Sequence, residues 1–136
     1  MQSNQMKRFI FLLFVGLITS FIIVSCNKKE DKIIGKWQNV LMVVKSTEGM
    51  YTTDMTKYPP TYNVFKKDNT LQITSGKFKE NVQYFIQNDQ LFSLRPGESS
   101  PSIMDINKLT KDELILNLKY HDQYQKEVTL YYKRVE

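Results

Sequence analysis

At 136 residues with a single cysteine, Cys26, the chain has room for one domain and cannot form an intrachain disulfide or a cysteine-based zinc site. Lysine and arginine number 19 against 14 acidic residues, and two of the basic ones, Lys7 and Arg8, lie within the first 25 residues. The other 17 are interleaved with the acids, whereas a nucleic-acid binder would carry a basic stripe, so no nucleic-acid partner is expected.

Lys7 and Arg8 are followed by Phe9 to Val24, an uncharged and mostly apolar run. Its 16 residues fit a secretion signal better than a spanning helix, which needs about 20. Residues 1–25 are therefore expected to be a signal peptide, with Met1 and Met6 both open as the start. The run closes on Ile23-Val24-Ser25-Cys26, which resembles the lipobox of bacterial lipoproteins. The resemblance implies diacylglycerol on the Cys26 thiol, cleavage before it, and fatty acylation (palmitate) of the new amine. Several acyl chains anchor stably where one binds only marginally, so the membrane is the expected partner through Cys26. The expected address is the bacterial cell envelope at the outer membrane. Asn27-Lys28-Lys29-Glu30-Asp31 is too polar to join a core, and residues 26–32 read as a lipidated cysteine plus tether. This stretch also resembles the charged tag that sends some Gram-negative lipoproteins to the cell surface. Periplasmic and surface-facing positions both stay open.

From residue 33 to 136 the pattern is that of one all-β domain. Only Lys32 to Gly35 reads as a helical turn. Leu114, Leu116, Leu118 and Tyr120 point one way with Asn117 and Lys119 on the other face; Val128, Leu130 and Tyr132 alternate with Thr129, Tyr131 and Lys133, and Val82, Tyr84 and Ile86 with Gln83 and Gln87. Lys67-Asp68-Asn69, Asn88-Asp89, Lys111-Asp112 and His121-Asp122 separate these runs with residues that tolerate left-handed backbone. The expected strands are 36–45, 61–66, 69–75, 77–80, 82–88, 90–95, 102–109, 113–120 and a closing 125–135, with two of the shorter ones merging to leave about eight. Regular hairpins without a long crossover favour an antiparallel up-and-down barrel, which hides every edge, over a two-sheet sandwich.

Gly35-Lys36-Trp37, at the head of a long strand, resembles the Gly-X-Trp signature that opens lipocalins. Phe65-Lys66-Lys67-Asp68-Asn69-Thr70 and the closing Tyr131-Tyr132-Lys133-Arg134-Val135 are also similar to those of small lipocalin-like bacterial lipoproteins. The resemblance implies a barrel sealed at one end, where Arg134 covers Trp37 in a cation–π contact, and a ligand held at the other. No helix follows the last strand, and the second lipocalin signature is missing.

No catalytic or metal-binding constellation is present. His121 is the single histidine and falls in a turn, no serine sits in a Gly-X-Ser-X-Gly elbow, and the four glycines after residue 25 make no phosphate loop. The chain is not expected to be an enzyme or to hold a cofactor. Ser46 to Thr61 stands out as a connection too long for a hairpin. In lipocalins the matching loop crosses the mouth as a lid. Met50, Tyr51, Met55 and Tyr58 from it, with Tyr84 and Tyr120 from the wall, are the candidate contacts for a small apolar ligand or an envelope protein. The competing expectation is a filled barrel that serves an envelope complex through its outer face, because eight strands leave room for side chains or one small ligand.

Overall fold

A computed structural model describes residues 28–136. The expected signal peptide, 1–25, and the expected anchor, Cys26, lie outside the described residues.

The described residues open with a short helix, α1 (Lys28–Ile33), and continue as nine antiparallel strands: β1 (Gly35–Ser46), β2 (Gly49–Asp54), β3 (Thr61–Phe65), β4 (Thr70–Ser75), β5 (Phe78–Gln87), β6 (Gln90–Leu94), β7 (Ser102–Leu109), β8 (Glu113–Lys119) and β9 (Glu127–Arg134). β1 pairs with β3 through Gly35–Gln38 and with β9 through Trp37–Lys45, so eight strands close into a barrel. Closure leaves none of the eight with a bare edge along its paired length. Residues 77–80 and 82–88 merge into β5, as two short segments were expected to.

The long connection after β1 is where the chain departs from its expected course. Ser46 to Thr61 is not a free loop. Gly49–Asp54 turns straight back as β2 and pairs with the second half of β1, from Leu41↔Asp54 to Ser46↔Gly49. A 3₁₀ turn over Met55–Lys57 follows, with the Asp54 carboxylate accepting from Thr56 N–H at 3.0 Å. β2 and β3 thus occupy the same side of β1, one beyond the other.

The closed end carries α1 and three short turns. Two of these turn on the left-handed residues the sequence provides, Asn69 (φ 62°) and the Asn88-Asp89 pair (φ 49° and 63°). Side chains pointing inward from this half form the core: Ile33, Trp37, Phe65, Leu71, Val82, Tyr84, Leu91, Leu114, Leu116 and Tyr132. Phe65 and Tyr84 meet edge to face at 5.1 Å between centroids.

Trp37 is wholly buried, and its indole N–H donates to the Ile33 carbonyl at 2.7 Å, which ties α1 across the barrel end. The Arg134 guanidinium lies 4.1 Å from the ring centroid and donates outward to three carbonyls: Lys111 (2.5 Å), Ile34 (2.6 Å) and Lys32 (2.5 Å). Gly35 makes room for this cap. At φ +132°, a Cβ there would collide with Arg134 Nη1 and approach the Glu136 carbonyl oxygen to 2.9 Å.

Two expectations follow, both read by urea unfolding. Trp37→Ala removes a packed indole and should cost about 3–5 kcal/mol. Gly35→Ala should also lower the unfolding midpoint, because it displaces the guanidinium and strains its own backbone; an unchanged midpoint would show that the seal does not depend on that glycine.

Candidate functional site at the open end

Two bulges set what faces the upper half of the barrel. Trp37 and Asn39 point inward; then one extra residue, Val40, shifts the register on β9 from Asn39↔Tyr132 to Leu41↔Tyr131. Met42 and Val44 therefore share a face with Leu130 and Val128. On β7 the extra residue is Asn107, between Ile106 and Lys108, and Leu109 resumes the inward row.

Above the sealed core lies a polar layer. Asn39 on β1 is the direct partner of Tyr132 on β9. Asn63 on β3 donates from Nδ2 to the Tyr132 hydroxyl at 3.4 Å. All three are buried, and Asn39 Oδ1 has no partner among the described residues. Beyond this layer the interior divides. Met42, Met104, Leu118 and Leu130 make one wall, with Ile73 on the facing sheet, and each is only part-buried. Around them are polar groups: Thr61 Oγ1 is 3.1 Å from Ser75 Oγ, and Glu80, opposite Ile73 on β5, pairs with Arg95 at 3.1 Å. The result is an apolar wall above an amide and phenol floor, with one ion pair near the rim.

The six candidate contacts do not converge. Tyr51 stands opposite Val44 and shares the inward face of β2, half-exposed. Met50 stands opposite Lys45 on the outer face and is exposed. Met55 is part-buried on the 3₁₀ turn, and Tyr58, just after it, is exposed. Tyr84 lies deep in the closed half, where its hydroxyl donates to the Lys66 carbonyl at 2.9 Å. Tyr120 follows β8 at the rim, with Lys126 Nζ 5.7 Å from its ring. There it lines a surface cleft of about 390 Å³ with His121 and Asp122. The groups that the reading of residues missed are Asn39, Asn63, the Tyr132 hydroxyl, Met42, Glu80 and Arg95. A signal existed for two of them: Asn39 alternates with Trp37, and Asn63 with Phe65, so each shares a face with a core residue.

Among the described residues, no cluster of three or more His, Cys, Asp or Glu side chains is placed to hold a metal ion, and no helix is long and apolar enough to cross a membrane. No protein-family model matches the chain, and neither does any curated protein.

Burial gives the floor a pH signature. The Tyr132 hydroxyl is held far above its ordinary value near 10 by desolvation, which the Asn63 bond offsets only in part. An unfolded Tyr132 ionises above pH 10 while the folded one stays neutral. Its contribution to stability is thus complete below pH 10 and falls as the pH rises beyond it, by about 1.4 kcal/mol per pH unit. Urea unfolding between pH 9 and 11 should show this slope in the parent and a shallower one in Tyr132→Phe. Equal slopes would mean that the phenol is solvated.

Proposed function

We propose that the chain is a bacterial lipoprotein, anchored through acyl groups on Cys26, whose lipocalin-like barrel holds a small apolar ligand in its open half and catalyses no reaction. One observation carries the binding reading: Met42, Ile73, Met104, Leu118 and Leu130 face inward yet stay part-buried above the layer of Asn39, Asn63 and Tyr132. An interior filled throughout by its own side chains would bury that row as completely as it buries Leu114 and Leu116; above it, only the Val44–Val128 pair is buried. The floor amides and the Glu80–Arg95 pair suit a ligand with an apolar body and a polar end. Support for the anchored reading comes from the lipobox-like Ile23-Val24-Ser25-Cys26. Support for the family reading comes from Gly35-Lys36-Trp37 beneath Arg134.

A second reading, an accessory protein that recruits an envelope partner, draws on β2. No strand pairs with its outer edge among the described residues, and Met50 beside it is exposed. Such an edge is a ready template for a partner's strand.

A thermal-shift screen of the barrel domain, residues 27–136, with fatty acids, sterols, haem-like compounds and glycans separates the two. A ligand at a hundred times its dissociation constant adds about 2.7 kcal/mol to stability. An apolar class should raise the melting temperature, and Met42→Arg and Leu130→Gln should abolish the rise while the variants remain folded. No shift from any class would leave the partner reading in its place. Anchoring is tested separately: mass spectrometry should find acylated Cys26 at the mature N-terminus, and Cys26→Ala should leave the membrane fraction.

A further inference from the structure

The outward faces of barrel strands ordinarily carry polar side chains, and scattered apolar ones mean little. On β5, β6 and β7 they are not scattered. Phe85 pairs with Phe92, and Phe92 with Ile103, in one row across three strands. The two phenyl rings stack at 4.6 Å with planes 4° apart. Leu94 extends the row along β6. Phe85 is 49 % exposed, Ile103 44 % and Leu94 37 %, so this is a contiguous apolar patch on the outside of a closed barrel.

Its position relative to the start of the described chain identifies what covers it. Lys29, on the first turn of α1, is ion-paired with Asp89 in the β5–β6 turn. Cys26 is two residue steps from Lys28, a reach of at most about 7 Å. Phe85 and Phe92 each lie three residues from that turn, about 10 Å along their strands. Acyl chains on Cys26 would therefore meet the bilayer close to the corner from which the patch rises. The polar neighbours on the same face of β5 and β6, Gln83, Gln87 and Gln90, are uncharged. Asp105, the nearest acid on β7, is held by Gln90 at 2.9 Å and faces Lys119 at 3.8 Å. The acids nearest Phe85 are Glu30 and Asp31 of α1, which share a surface cleft with it and with Lys67; the row itself carries no charge.

We propose that the outer face of β5–β7 is the membrane-contacting side of the anchored protein, with Phe85, Phe92, Leu94 and Ile103 seated in the lipid interface. The inference rests on the anchored reading and adds an orientation: the barrel lies on this flank, and its open half points along or away from the membrane.

If Cys26 is acylated, an introduced cysteine is the only free thiol in the chain. The test uses the full lipidated protein in vesicles of phosphatidylethanolamine and phosphatidylglycerol, carrying Phe92→Cys, Ile103→Cys or, on the opposite flank, Lys133→Cys, each labelled with a nitroxide. Emission from buried Trp37 reports that each variant is folded. Vesicle flotation reads anchoring, and accessibility of the label to oxygen against a water-soluble nickel chelate reads depth. Labels at 92 and 103 should favour oxygen several-fold more than the label at 133. If the protein floats and all three labels are equally open to nickel, the orientation is wrong and the anchor stands. If labels at 92 and 103 are closed to both reagents, a protein covers the patch and the lipid assignment falls. If the protein does not float, the anchored reading falls and takes this one with it.

Discussion

The Arg134 guanidinium holds the barrel shut. It lies over the Trp37 ring and reaches three backbone carbonyls: Lys32 in the last turn of α1, Ile34 between α1 and β1, and Lys111 in the β7–β8 turn. A planar group with donors in a fixed fork can do this, and a lysine ammonium could not reproduce both the stack and the bonds. The contact ties α1 and the β7–β8 turn to the β1–β9 seam, where Trp37 and Arg134 are strand partners. Trp37 bonds to Ile33 from beneath and Gly35 leaves the space, so the loss of any one loosens all of them. With this end fixed, the lower core can pack to completion.

The upper half owes its character to two displaced registers. Were Val40 an ordinary ladder residue and not an extra one, Leu41 and Val43 would face inward, and Met42 would point to solvent. Met42 is unbranched and adapts to an irregular neighbour. The buried Asn39–Asn63–Tyr132 layer separates this wall from the core below. Within the layer a single hydrogen bond joins Asn63 to Tyr132, and the Asn39 amide oxygen, which has no partner among the described residues, favours whatever can donate to it.

Much of this order is legible in the residues. The Asn and Asp turns and the inward rows of β5, β8 and β9 follow from local chemistry and period-2 alternation, whereas the pairing of Trp37 with Arg134 is legible only through the resemblance of Gly35-Lys36-Trp37 and the closing strand to lipocalins. β2 does not. Met50 and Tyr51 are adjacent, and the following Thr52 and Thr53 give no alternation, because the strand buries almost nothing on either face. Its cue is weaker: three β-formers, Tyr51 to Thr53, after a two-residue turn at Thr47-Glu48. The bulges are invisible for a different reason. A one-residue insertion leaves composition and hydropathy unchanged and shows only in which partner each residue meets. Tyr84 has the right alternation for a wall residue, but alternation fixes the face and says nothing of height along the barrel.

The closing seam joins β1 to β9, and Arg134 bonds to Ile34 across 100 positions of sequence. Apart from β1–β3, which pair across the intervening β2, every other barrel pairing joins neighbours in the chain and can form as a local hairpin. The seam alone must wait for residues 127–134, and it carries the largest loop-closure cost in the molecule. During synthesis, then, the barrel is a growing open sheet until its last strand appears, and the bare edges of β1 and of the latest strand are what a chaperone would have to shield.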